Sequence, residues 1–258
     1  MIRFFINLDR SKDRLSSLQK QFENLNIDFI RIPAIDGSQL DATYIQSLQA
    51  PYEKNLILSP LSSGEIGCFL SHRSCWQKFL ETDEEWAFII EDDVIISNNA
   101  KQFLINHNWI PNNINIIHAS LIKNPCEARI YHYKYTLNNN YFLCRNLYPQ
   151  IYGTQGYFIS RKAAQFALEI TNQYLSNAVD DFLFGPYYKF YKQFPFWKLN
   201  PSIILSSELE SLIDASRKNK IYCKKKNIPL RLKIYREIIR KSILIRKKFS
   251  AKEQYFFK

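Results

Sequence analysis

The chain has 258 residues, 46% of them hydrophobic and 15% aromatic, which is enough to fill the core of one large α/β domain and excludes an intrinsically disordered chain. Its net charge of +11 is uneven: residues 215–258 hold 16 Lys and Arg against Glu237 and Glu253, a net of +14, while residues 1–214 hold 19 basic and 22 acidic residues, a net of −3. No run approaches the roughly 20 apolar residues that span a bilayer, and the N-terminus enters a strand-like segment without the apolar stretch of a signal peptide, so the expected location is cytoplasmic.

In chain order, Ile2–Ile6 reads as a strand and Asn7-Leu8-Asp9-Arg10 as a turn. A helix follows with Ser11 as its N-cap and Leu15, Leu18, Phe22 and Leu25 at helical spacing. Asp28–Ile32 reads as a second strand ending at Asp36-Gly37, which completes a βαβ opening. Neither G-x-G-x-x-G nor G-x-x-x-x-G-K-[ST] occurs, which disfavours Rossmann dehydrogenases and P-loop enzymes. Residues 61–80 carry the best-marked helix: Ser62 and Glu65 have capping-box spacing, and Ile66, Phe69, Leu70, Trp76, Phe79 and Leu80 form a broad apolar face. Asn115–His118 reads as a weaker strand, and the Asn- and Tyr-rich residues 123–152 as loops and edge hairpins. Tyr157–Ile159 is a further strand before a helix that starts near Ser160, and Val179-Asp180-Asp181 opens another helix. The five cysteines are odd in number and lack C-x-x-C spacing, so they read as free thiols.

The segment that carries chemistry is Trp86-Ala87-Phe88-Ile89-Ile90 followed at once by Glu91-Asp92-Asp93. An unbroken apolar run of strand length reads as a strand buried on both faces of a parallel sheet, and its C-terminal end is where open α/β sheets bind ligands. Three adjacent anions raise one another's pKa unless a cation sits among them, and oxygen-only ligation suits Mg²⁺ or Mn²⁺ better than zinc. The alternative is a solvated acidic turn. Asp180 can be a general base, with Asp181 as substitute, or simply a helix cap. His72, one helical turn after Cys68, reads as a packing histidine, with support of a metal site as the other reading.

Taken together, Ile6-Asn7-Leu8 with Arg10 and Arg14, Asp36-Gly37, Gly64-Glu65-Ile66-Gly67-Cys68 with Ser71-His72 and Trp76, Glu91-Asp92-Asp93-Val94, Gly153-Thr154-Gln155-Gly156-Tyr157 with Ser160, and Val179-Asp180 resemble glycosyltransferase family 25, the lipooligosaccharide galactosyltransferase type. The resemblance runs from about residue 2 to about residue 213. It implies a GT-A-like α/β fold with a mixed, mostly parallel central sheet, a UDP-sugar donor, usually UDP-galactose, a divalent metal and inversion at the anomeric carbon. Under it, Glu91 and Asp93 hold Mn²⁺ or Mg²⁺, Asp92 touches ribose or donor sugar, and Asp180 is the base. Asn7, Arg10, Arg14, Asp36 and Gly37 face the uridine and diphosphate, with a plain turn as the other reading of Asp36-Gly37. Gly153, Thr154, Gln155, Gly156 and Tyr157 contact the acceptor, the Tyr157 ring by stacking on a sugar. One departure is the closing segment, where a Gln is typical and this chain reads Leu205-Ser206-Ser207-Glu208.

Residues 1–214 are therefore expected to form the catalytic domain and 215–258 a basic amphipathic helical tail, with Leu232, Tyr235, Ile239 and Ile243 among its cations. The expected partners are the donor, a lipooligosaccharide acceptor and the anionic inner face of a bacterial membrane, with no nucleic acid. The rival readings are a phosphoryl-transfer or nuclease enzyme whose tail grips nucleic acid, and a non-catalytic polyanion-binding protein.

Overall fold

The computed structural model describes residues 1–49, 60–122, 124–138, 140–146, 153–186, 188–207, 237–238, 241 and 250–258. The βαβ opening is β1 (Ile2–Asn7), α1 (Lys12–Leu25) and β2 (Ile30–Pro33), with β1 and β2 parallel. Ser11 sits at the N-cap of α1 but makes no side-chain cap, while Leu18, Phe22 and Leu25 turn inward. After α2 (Ala42–Leu48), α3 (Ser63–Leu80) starts on a complete capping box. The Ser62 hydroxyl accepts from the Glu65 amide, and the Glu65 carboxylate accepts from the Ser62 amide at 2.8 Å.

The apolar run forms β3 (Trp86–Glu91), beside β1 in parallel. It leads through Asp92 and Asp93 into β4 (Val94–Ile96), followed by α4 (Lys101–Leu104), β5 (Ile116–His118) and β6 (Ser120–Leu121). The aperiodic 123–152 region holds a hairpin, β7 (Cys126–Thr136) and β8 (Phe142–Asn146), at the edge side of the sheet. Then come β9 (Gly156–Ser160), α5 (Arg161–Ile170), α6 (Val179–Phe184), α7 (Lys189–Gln193), β10 (Trp197–Asn200) and β11 (Ile204–Ser206). Ser160 caps α5 through the Ala163 amide.

Among the described residues these strands form a nine-stranded mixed sheet in the order β12-β7-β8-β10-β5-β9-β3-β1-β2, where β12 is Ser250–Tyr255, and a three-stranded sheet β4-β11-β6. Six of the nine strands point one way, and β9, β8 and β12 run against them. Strand alternation divides the core in two. Phe4, Ile6, Ala87, Ile89, Tyr157 and Ile159 face α3, α5 and α6, whereas Phe5, Trp86, Phe88, Ile90 and Phe158 face α1 and α4.

Strand β12 departs from the sequence reading of 215–258 as a helical tail. It pairs antiparallel with β7 from Ser250↔Tyr131 to Tyr255↔Cys126, so these last residues belong to the sheet. Residues 237, 238 and 241 are helical, and the rest of the expected helix lies outside the described residues. Tyr255 is fully buried, donates to Asn146 Oδ1 and lies 3.3 Å from Cys144 Sγ. Tyr255→Ala should therefore lower the unfolding free energy by about 3 kcal/mol or more, measured by urea denaturation; an unchanged midpoint would mean that β12 adds nothing to the core.

Candidate functional site

At the C-terminal ends of β1, β2 and β3, the end of an α/β sheet where ligands bind, lies a cavity of about 170 Å³. It is lined by Arg10 and Arg14, by Asp36 and Gly37, by Cys68 and His72, and by Glu91, Asp92 and Asp93. A larger trough of about 800 Å³ lies at the other end of β3, around Glu85, Trp86 and His107, without such a carboxylate cluster. The carboxylate triplet belongs to the smaller cavity.

The same alternation that splits the core sends consecutive carboxylates of the triplet apart. Glu91 continues the face of Ala87 and Ile89 and meets α3: its Oε1 lies 3.4 Å from His72 Nε2 and accepts from the Thr154 hydroxyl at 2.5 Å. Asp92 continues the face of Phe88 and Ile90 and meets α1, accepting from Asn7 Nδ2 at 2.7 Å and from Arg14 Nη1 at 3.0 Å. Asn7 is in turn oriented by Arg31, whose Nε donates to Asn7 Oδ1 at 3.1 Å. The Asp93 carbonyl accepts from the Ser207 amide at 2.7 Å and hydroxyl at 2.8 Å, which ties the departing closing segment to the triplet. Asp93 Oδ1 itself is buried with no hydrogen-bond partner.

These surroundings separate the two candidate metal ligands electrostatically. Burial would raise the Glu91 carboxyl, but His72 beside it, the Thr154 hydroxyl and the Arg14 charge outweigh it and hold Glu91 below the usual carboxylate value. Burial, followed by the charge of Glu91, pushes Asp93 up to about 7 in spite of Arg14.

Of the other sequence-predicted residues, Arg10 is ion-paired with Asp36, which also accepts from the Ser38 amide at 3.0 Å. Gly37 is a glycine because an added Cβ would overlap the Ser63 carbonyl at the start of α3. Gly153 has φ +110°, a conformation that needs glycine. Gln155 Oε1 is buried without a hydrogen-bond partner. Tyr157 corrects the sequence reading: its side chain is fully enclosed and cannot stack on a sugar. Its hydroxyl accepts from Trp76 Nε1 at 3.0 Å and lies 2.9 Å from His72 Nδ1, so it supports His72 from the core. Thr154 is likewise buried and turned to Glu91. Gly156 is pressed against the Ile204 side chain, which accounts for the missing Cβ by strand packing. Asp180 and Asp181 lie in the first turn of α6, with Ala178 at the N-cap. Asp180 Oδ1 accepts from the Asp181 amide at 2.8 Å, and neither residue is among those lining the cavity.

The model of glycosyltransferase family 25, described as LPS biosynthesis protein, matches residues 1–183. The chain belongs to glycosyltransferase family 25. Lipooligosaccharide biosynthesis protein lic2B of Haemophilus influenzae is 34% identical over 109 residues, which are 42% of this chain and 40% of that protein. Lipooligosaccharide biosynthesis protein lex-1 of the same species is 30% identical over 216 residues, 75% of this chain and 68% of that protein. Human procollagen galactosyltransferase 2 is 34% identical over 106 residues, 40% of this chain and 17% of that protein. The chain thus spans less than half the length of lic2B and of the human protein.

In this family 25 chain the contact that sequence reasoning left open is His72 with Glu91. Its signal was present as the Cys68/His72 spacing, but only the packing of α3 on β3 shows what lies opposite. The role of Thr154 as a donor to Glu91 had no sequence signal, because Gly153 bends the loop back by its unusual φ. For Asp93 a pH dependence follows. The folded state keeps the Asp93 proton to about pH 7, whereas an unfolded Asp releases it near 3.8. Between these values the folded state binds more protons, so stability falls as pH rises. In chelator, thermal scans should show this slope from about pH 4 to 7, and Asp93→Asn should remove it; Mn²⁺ should raise the melting temperature more at pH 8 than at pH 5. Equal Mn²⁺ increments at the two pH values, in wild type and variant alike, would separate Asp93 from cation binding.

Proposed function

We propose that this chain is a metal-dependent, inverting glycosyltransferase that moves a sugar, with UDP-galactose as the first donor to test, onto a lipooligosaccharide acceptor. The observation that carries the reading is the Glu91-Asp92-Asp93 triplet at the end of β3, inside the segment matched by family 25, with a buried and unpartnered Asp93 oxygen. A galactose donor is supported by the name of the human relative and a lipooligosaccharide acceptor by those of lic2B and lex-1. Family membership speaks against the nuclease and polyanion-binding readings.

The residues fit a hard divalent cation. Glu91 and Asp93 offer carboxylate oxygens, and the Asp93 carboxyl, pushed up to about 7, marks a place where positive charge is missing. A bound Mn²⁺ or Mg²⁺ would offset the negative charge that grows on a departing diphosphate. The chain's own residues do the rest. Arg10 and Arg14 line the cavity and can donate to phosphate oxygens in exchange for Asp36 and Asp92. Asp92, still held by Asn7, presents its carboxylate toward ribose or the donor sugar. Asn7 thus acts by orienting Asp92, and the Asp36-Gly37 turn forms the wall for the uridine end. The loop at Gly153 to Gly156, with its buried Gln155 oxygen, stands beside Glu91 on the acceptor side. Asp180, with Asp181 as substitute, takes the acceptor hydroxyl proton. It lies on a helix whose Phe182 packs on Trp76 and whose Phe184 packs on Tyr157, the two residues that hold His72.

The deciding experiment is a screen of UDP-sugars with Mn²⁺ for donor hydrolysis and transfer. Turnover of UDP-galactose in preference to other donors is expected, and no turnover or UDP binding with any donor would overturn the reading. In the same assay Asp93→Asn should abolish transfer by weakening metal and donor binding, and full activity at limiting Mn²⁺ would remove Asp93 from the metal site. Asp180→Asn should leave UDP-sugar affinity largely intact while lowering kcat by about 10²-fold or more; near-normal turnover with a lower melting temperature would make it a structural residue of α6.

The net +13 of residues 215–249 supports a further part of the proposal: this segment holds the enzyme to the cytoplasmic face of the inner membrane. Each cation near an anionic surface contributes about 1 kcal/mol. Truncation before residue 250 would also delete β12, so charge substitution is the cleaner test. Replacing Arg231, Lys233, Arg236, Arg240, Lys241, Lys247 and Lys248 by Gln should abolish flotation with anionic liposomes and leave donor hydrolysis in place. Equal flotation of the two proteins would assign the cations to another partner.

A further inference from the structure

Cys68 and His72 occupy one face of α3 at i and i+4, and Glu91 at the end of β3 stands opposite. One thiol sulfur, one imidazole nitrogen and one carboxylate oxygen from these residues lie within 4.8 Å of one another. We infer that Cys68, His72 and Glu91 form a site for a single thiophilic divalent cation, Zn²⁺, with its open position facing the cavity. The site differs in ligand chemistry from the Glu91 and Asp93 carboxylate pair, although it shares Glu91.

Three independent features support it. First, the donor set is sulfur, nitrogen and oxygen, which favours zinc over Mg²⁺ and Mn²⁺. Second, His72 is fully buried, and its Nε2 makes no hydrogen bond, since the 3.4 Å approach to Glu91 Oε1 falls short of one. A buried imidazole nitrogen left this way costs free energy that a metal bond would recover. Third, the other ring nitrogen is already served: His72 Nδ1 lies 2.9 Å from the Tyr157 hydroxyl, which also accepts from Trp76 Nε1. With Nδ1–H donating to the Tyr157 oxygen, the outer support that metal-bound histidines carry, Nε2 faces Cys68 and Glu91 and binds a cation in place of a proton. Tetrahedral zinc would hold the donor atoms roughly 3.3–3.8 Å from one another; His72 Nε2 and Glu91 Oε1 already stand at 3.4 Å, and rotation of the Cys68 side chain can supply what remains. Cys68 and Glu91 are only partly buried and line the cavity, so a cation can enter and a fourth ligand can be water.

The test reads metal binding alone, so its outcome is separate from that of the glycosyltransferase reading. In the full-length protein, Zn²⁺ should protect Cys68 from iodoacetamide, measured by peptide mass spectrometry, at least tenfold more than Mg²⁺ does. Labelling of Cys126, the other partly exposed cysteine among the described residues, should stay unchanged. Titration against a chromophoric chelator should show one tight Zn²⁺ per chain that Cys68→Ser and His72→Gln each weaken at least tenfold and that Asp93→Asn retains. Cys68 labelling that ignores Zn²⁺ would overturn the inference, and so would Zn²⁺ binding that Asp93→Asn abolishes and Cys68→Ser spares.

Discussion

Three consecutive carboxylates at the end of a fully buried strand cannot share one place, and the strand's alternation resolves the conflict before any ligand arrives. Glu91 is sent to the α3 face, where His72 and Thr154 receive it, and Asp92 to the α1 face, where Asn7 and Arg14 receive it. Asp93 alone keeps a buried oxygen without a partner. A repulsive cluster is thereby turned into two satisfied carboxylates followed by one poised one.

Much of the remaining structure holds these partners in position. Trp76 and Tyr157 fix His72 from within the core. The loop that carries Thr154 is anchored by its Gly153 carbonyl, 3.0 Å from His118 Nε2. Behind His118 stands Lys198, wholly enclosed, its Nζ donating to the Ser120 carbonyl and lying 3.2 Å from His118 Nδ1. Burial brings the Lys198 ammonium down to about 7, so a core lysine, a core histidine and the loop form one polar chain reaching Glu91. The closing segment adds its own restraint, because β11 pairs with β4 and Ser207 clamps the Asp93 carbonyl.

Legibility in the sequence follows the range of the forces involved. The capping box of α3, the apolar run of β3 and the Ser160 cap are local, so residue pattern alone reveals them. Strands β7 and β12 are not local in this sense. β7 alternates at Cys126, Ala128 and Ile130 and then changes phase at Tyr131, where its register with β8 shifts, and β12 is a charged segment that becomes a strand only by pairing with β7, more than a hundred residues away. The basic composition of 215–258 pointed to helix throughout, and Ser250–Tyr255 shows where pairing overrides it.

The sequence by itself determined the α/β character, the placement of Glu91, Asp92 and Asp93 at a strand end and the family, since each rests on order along the chain. It could not decide which side chains stand across from those carboxylates. That Tyr157 is a buried support and not a sugar platform, and that His72 and Thr154 meet Glu91, was decided only when α3 and the Gly153 loop packed against β3. These contacts join residues 19 to 85 positions apart, and no spacing rule along the chain encodes such distances.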